Sequence, residues 1–134
     1  MLDRELAAKV MKNVTAQAEM ASLQVTEAER GHVAFEIDVP ATAANYHGSV
    51  HGGFLATLLE VAAGMVGTSL DLNNVALTSA VNFIKRAPVG RLTVRCDATH
   101  AGRSTIVTRG TVSTPEGKLL TEATFTLFVL PLEA

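Results

Sequence analysis

Glu60 stands among Leu58, Leu59, Val61 and Ala62, where a carboxylate has no obvious partner. Taking a charge out of water without pairing it is costly, so a carboxylate in such a run is paired, neutralised or used chemically. It is either half of an ion pair with a distant Lys or Arg, or a general base or nucleophile. Upstream lies Asn45-Tyr46-His47-Gly48-Ser49-Val50-His51-Gly52-Gly53, a loop of small residues that opens into the same apolar run. Backbone N–H groups at a helix N-terminus lack intrahelical acceptors and carry the positive end of the dipole, and glycines let a ligand atom come close. A site for a developing oxyanion is built that way. On the plainer reading the glycines only make a tight turn. Gly52 and Glu60 are eight positions apart, about 12 Å along a helix axis and on nearly one side of it. One reacting group could meet both only if Glu60 reached back or the first turn were irregular.

Other chemistries are less well supported. His47 and His51 have the spacing of a helical metal pair, but Gly48, Gly52 and Gly53 argue against a helix through both and no carboxylate lies between them. No metal site is expected. His32 and His100 fall in turns, and Cys96 alternates with Leu92, Val94 and Ala98 as a small core residue would. There is no Gly-x-Ser-x-Gly motif and no nucleophile signature around Cys96.

These residues need elements to hold them. Leu2, Leu6, Val10 and Val14 repeat every fourth position with polar residues between, which predicts a surface helix with one apolar stripe. From Ala21 to Val39 the period changes to two, predicting two strands around a turn at Glu29-Arg30-Gly31-His32. Pro40 ends the second, and the Gly/Ser/Asn-rich loop follows. Gly53 to Leu70 is apolar enough to be a helix wrapped by protein on every side. Four more alternating runs follow at Val75–Ile84, Leu92–Thr99, Thr105–Ser113 and Leu119–Leu130. Their connections are short, which predicts antiparallel neighbours, and Thr114-Pro115-Glu116-Gly117 has Pro and Gly where a type I turn wants them. An α+β fold, with an antiparallel sheet curled around one long central helix, satisfies every segment.

The chain has 134 residues, room for one domain over 1–134 and for no separate cofactor domain. With 4% aromatic residues and a net charge of −2, it offers few stacking platforms and no basic excess, so nucleic acid is not an expected partner. The lone Cys96 and an N-terminus without a leader pattern predict a reducing cytoplasm. The Gly53–Leu70 run is long enough for a membrane span, but it carries Glu60 near its middle and no Lys or Arg close to its ends, so no membrane partner is expected.

The run from Asn45 through His51-Gly52-Gly53 to Glu60 resembles the signature of hotdog-fold acyl-CoA thioesterases of the phenylacetic-acid-degradation type, related to the Arthrobacter-type 4-hydroxybenzoyl-CoA thioesterases. The order of elements is similar to the hotdog fold over essentially the whole chain. The resemblance implies hydrolysis of an aryl- or medium-chain acyl-CoA to the free acid and CoA, with no metal or redox cofactor. It makes Glu60 the base or nucleophile, Gly52 the donor whose N–H polarises the thioester carbonyl, and His51 a pocket residue. Asn45 would orient water or the carbonyl, and Thr78, with Ser79 as the adjacent alternative, would supply a hydroxyl. Many phenylacetate-type members carry Asp where this chain has Glu60. Gly53, Ser79, Arg86 and Arg103 are the candidate substrate contacts, the two arginines, like Lys85 and Arg91, lying at or beside strand ends where the CoA nucleotide needs cations. The resemblance also implies a homodimer or homotetramer with the active site between two subunits, which would let Glu60 work with the Gly52 end of a second copy. A non-catalytic acyl-CoA-binding domain is the alternative that needs no Glu60. A hotdog dehydratase would need a proline-rich loop that is missing here.

Overall fold

Six stretches become strands, and one apolar run becomes the helix that packs against them. The computed structural model describes residues 1–14 and 18–131; residues 15–17 and 132–134, part of the expected 1–134 domain, lie outside the described residues. The order is helix α1 (Arg4–Val10), strands β1 (Gln24–Glu29) and β2 (His32–Val39), helix α2 (Gly52–Ser69), then β3 (Asn74–Phe83), β4 (Gly90–Ala101), β5 (Thr105–Ser113) and β6 (Leu119–Val129). The strands form one sheet in the order β1-β2-β4-β5-β6-β3, and every neighbouring pair is antiparallel.

Period-two alternation puts one face of this sheet on α2. Val33, Phe35, Ile37, Leu92, Val94, Ile106, Val112, Leu120 and Leu127 meet Leu55, Leu58, Leu59, Ala62, Met65 and Val66 in one core. Leu58 is fully buried there, and trimming it to Ala would cost about 2–5 kcal/mol. The β5–β6 turn is as its residues require: Gly117 N–H donates to Thr114 O at 2.9 Å, and Gly117 has φ +93°. Asp3 caps α1, its carboxylate accepting from Leu6 N–H at 3.1 Å. Helix α2 is long and apolar enough to cross a membrane by length and composition, yet 56% of it is buried inside the fold.

Two expectations need correction. The short link from β3 to β4 does not join neighbours: β6 and β5 lie between them in the sheet. The link instead pairs with the loop before α2, through a Ser49–Pro88 bridge and a Val50 N–H to Ala87 O bond of 2.9 Å. Its backbone groups are satisfied there and not in a hairpin. Nor is α2 covered all round. Gly53, Ala56, Thr57, Glu60, Val61 and Gly64 form a stripe at i, i+3, i+4 spacing that is exposed or half-buried, because β3 ends the sheet and, among the described residues, no strand beyond it closes over the helix. Glu60 is on that stripe and exposed.

Candidate active site

The loop from Asn45 to Val50 is built on one side chain. Asn45 Oδ1 accepts from His47 N–H at 2.9 Å and Ser49 N–H at 3.2 Å, and the Asn45 N–H donates to Ser49 O at 2.7 Å. Two backbone donors on one side-chain oxygen fix the amide orientation, leaving its NH2 group as the end that can meet a ligand. Asn45 is therefore a donor toward the pocket.

His51 is the N-cap of α2, with its N–H on Ala43 O and its carbonyl accepting from Phe54 and Leu55. Its imidazole makes no capping bond and is exposed. Among the described residues the N–H groups of Gly52 and Gly53 have no acceptor. The first turn of α2 carries no acidic side chain to neutralise the positive end of the dipole. Of the two glycines, Gly52 lines a pocket of about 550 Å³, together with Asn45, His47, Val50, Leu55 and Phe83. Ile84, Lys85 and Arg86 from the end of β3 close its other side. It is a largely apolar hollow with the unpaired Gly52 N–H at one end, the arrangement that receives an ester-type carbonyl.

Glu60 does not line that pocket. It lies eight residues along α2 from Gly52, about 12 Å up the axis, so one chain holds the donor and the carboxylate apart. The two strand hydroxyls part company as well. Thr78 pairs with Thr126 and Ser79 with Phe125, and directly opposed residues share a face. Phe125 is in the core, so Ser79 lies on the α2 side of the sheet and the expected Thr78 on the other. The cause is the irregularity between Ala76 and Thr78, which leaves Leu77 as an extra residue and flips the alternation after it.

The cations divide too. Arg91 is held by Glu36 and Asp38 on the outer face. Arg103 sits in the β4–β5 turn, beside the Ser104–Val129 bond and hence at the Asn74 end of β3. The pocket is at the Phe83 end, about 30 Å away along ten residues of strand. Arg103 therefore does not join the pocket within one chain. Arg86 and Lys85 do. Cys96 is buried, and desolvation pushes its thiol up to about 12, consistent with a core residue.

Sequence reasoning missed the contributions of Phe83 and Ile84 to the pocket wall. Both look like ordinary strand residues, and only the path of β3 past the start of α2 brings them there.

A curled antiparallel sheet around one helix, with open N–H donors where that helix begins, is the hotdog architecture. The model of the family described as Thioesterase superfamily matches residues 47–121. A hypothetical thioesterase from Streptococcus pneumoniae, solved with coenzyme A, is 30% identical over 95% of this chain and 98% of its own, with a TM-score of 0.85. A Streptococcus mutans protein bound to acetyl CoA is 30% identical over 90% of this chain and 98% of its own, with a TM-score of 0.81. The E. coli PaaI protein from the phenylacetic acid degradation operon shares the fold at 22% identity over 94% of this chain and 96% of its own, with a TM-score of 0.84. No curated protein sequence matches the chain significantly. The chain belongs to the thioesterase superfamily. It is a thioester hydrolase.

Proposed function

We propose that the chain hydrolyses an acyl-CoA to the free acid and CoA, working as a homodimer in which Glu60 of one copy serves the Gly52 pocket of the other. The observation that carries this is the unpaired N–H of Gly52, set at the positive end of α2 in the wall of the pocket. The carbonyl oxygen accepts from Gly52 N–H, with the Asn45 NH2 group as a second donor, and both bonds strengthen as negative charge builds on the oxygen. Glu60 takes a proton from water, whose oxygen attacks the carbonyl carbon; the C–S bond breaks and the thiolate leaves, to be protonated. In the nucleophilic variant the Glu60 carboxylate attacks first and water then hydrolyses the mixed anhydride. His51 lines the approach, Gly53 flanks the donor, and Ser79 supplies the strand hydroxyl in place of Thr78. Lys85, which has no acidic partner among the described residues, is the cation placed to meet the CoA phosphates.

The dimer is supported by β3. It is an edge strand of ten residues with Val75, Leu77 and Phe83 exposed and the exposed Ile84 directly after it, and an open apolar edge of that length calls for a partner. The uncovered α2 stripe bearing Glu60 meets that strand at Gly64, whose carbonyl accepts from the Asn74 side chain at 3.5 Å. Pairing into a tetramer rests on the resemblance alone. The apolar lining of Val50, Leu55, Phe83 and Ile84 fits an aryl- or medium-chain acyl group, and the phenylacetic-acid-degradation type is proposed on the residue pattern. A cytoplasmic location is proposed on the single, unpaired Cys96.

Thiol release from a panel of aryl- and alkyl-CoA thioesters, comparing wild type with Glu60→Gln, tests the reading. The variant should lose at least about a hundredfold in rate while still binding the ester. Full activity in the variant would remove Glu60 from the mechanism. A second reading, an acyl-CoA-binding domain without turnover, draws on the separation of Glu60 from the pocket within one chain, and saturable binding with no thiol release in wild type would establish it.

A further inference from the structure

We propose that Arg86 is a positioning residue, locking the Asn45–Ser49 loop in its working shape, and that it is not the cation that reads the CoA phosphates. The inference rests on the thioesterase reading above and assigns this arginine a different part in it.

Arg86 follows β3 and turns back onto the loop before α2. Its Nε donates to Ser49 Oγ at 2.7 Å and one terminal nitrogen donates to His47 O at 2.9 Å. A guanidinium presents donors in a rigid planar fork, so two bonds from one side chain set both the distance and the angle of what they hold. What they hold is the residue pair that shapes Asn45. Ser49 is buried, and its own N–H and carbonyl are the groups bonded to the Asn45 side chain and backbone. His47 supplies the second N–H on Asn45 Oδ1. The line therefore runs from Arg86 through Ser49 and His47 to the Asn45 amide, and through Val50 and His51 to the Gly52 N–H.

Without the fork, the loop keeps its Asn45 bonds and is tied to the β3–β4 link only by backbone, through the Ser49–Pro88 bridge and the Val50–Ala87 bond. Both pocket donors would then move relative to the carbonyl they must meet. A misplacement of about 1 Å is worth on the order of a hundredfold in rate. Lysine cannot substitute, because an ammonium reaches one of the two acceptors and carries no fixed angle to the other.

The test is a pair of substrates with the same acyl group, the full CoA ester and the S-acyl-N-acetylcysteamine ester, which lacks the nucleotide. Steady-state constants are measured for wild type, Arg86→Gln, Arg86→Lys, Ser49→Ala and the Arg86→Gln/Ser49→Ala double variant, with thermal unfolding as the check on folding. A positioning role predicts that kcat falls by about ten- to a hundredfold on both esters, with KM for the CoA ester within about threefold of wild type. Arg86→Lys should not recover the rate. Ser49→Ala, which removes one acceptor and is the gentler change, should lose part of it, and the double variant should be no worse than Arg86→Gln. A loss seen in KM, and only on the CoA ester, would make Arg86 a phosphate contact and overturn the inference, as would variants indistinguishable from wild type. Wild type inactive on both esters would bring down the acyl-CoA thioesterase reading and this inference with it, a result distinct from active wild type with unaffected variants.

Discussion

The ring of Phe83 lies over Gly52: a Cβ on Gly52 would stand 3.2 Å from Phe83 Cε1 and Cζ. The end of β3 thus roofs the start of α2, and the absence of a side chain at Gly52 is what lets an apolar ring and an open N–H share one pocket wall. Gly52→Ala keeps the N–H but crowds the ring and sets a methyl group beside the donor, in the wall of the pocket. We expect kcat/KM to fall by about tenfold or more, and Phe83→Ala added to that background to return part of the loss. Gly52→Ala with wild-type kinetics would mean that the carbonyl does not bind against this turn.

The register of β3 makes a separable prediction. Ser79 opposes the core residue Phe125, whereas Thr78 opposes Thr126 on the outer face. If the strand hydroxyl acts on the α2 side, Ser79→Ala should reduce kcat by about tenfold or more, with Thr78→Ala close to wild type. The opposite ranking would place the working hydroxyl on the far side of the strand and contradict the assignment.

Edge pairing can be broken without touching the core. Leu77 is the extra residue in β3 and is 55% exposed. Leu77→Lys puts charge on the open edge, the device by which natural sheets avoid pairing. Sedimentation should show a monomer, circular dichroism should be unchanged, and thiol release should be lost together with the dimer. A monomer that keeps full activity would show that one chain builds the whole site.

Stability should depend on pH through an ionic cluster remote from the pocket. His32 Nε2 is 2.7 Å from Glu27 Oε1 and its Nδ1 is 2.6 Å from Asp97 Oδ1, with Arg95 also on Glu27 at 2.8 Å. Desolvation acts to lower the His32 pKa, but its hydrogen bonds to Glu27 and Asp97, and their charges, outweigh this and raise it above 6.5. The Glu27 carboxyl is lowered from 4.5, chiefly by its hydrogen bond to His32 and, against some desolvation, by Arg95. A raised His contributes stability that is complete below its unfolded value of 6.5 and is lost as pH rises through the folded value. The lowered Glu contributes above 4.5 and is lost as pH falls through its folded value. The melting temperature of wild type should therefore decline from pH 6 toward pH 8, a slope that His32→Gln should flatten. An equal slope in the variant would assign the pH dependence elsewhere.

Much of the architecture was legible because the strands, outside their bulges, alternate with period two and each helix stripe repeats every three or four residues. The turn at Pro115 and Gly117 could be read from its residues, since a proline at its second position and a glycine at its fourth leave the backbone little choice. The loop into α2 was legible for the same kind of reason, as three glycines beside Asn45 and Ser49 have few structural uses. The neighbours of β3 were not legible. A short link ordinarily makes a hairpin, and nothing local says that residues 87–89 bond to the loop at Ser49 and Val50 instead. Nor was the choice between Thr78 and Ser79, because one extra residue at Leu77 reverses every side chain after it.

The residue types thus determined the elements, the open glycine turn before α2 and the carboxylate two turns along it, since propensity, periodicity and the chemistry of N–H donors act over a few residues. Tertiary structure alone decided that Phe83 roofs Gly52, that Arg86 holds the loop while Arg103 is at the far end of the sheet, and that Glu60 stands on an uncovered stripe. Those outcomes depend on strand order and on which helix face is left without cover, which are set by how one core closes over all six strands at once.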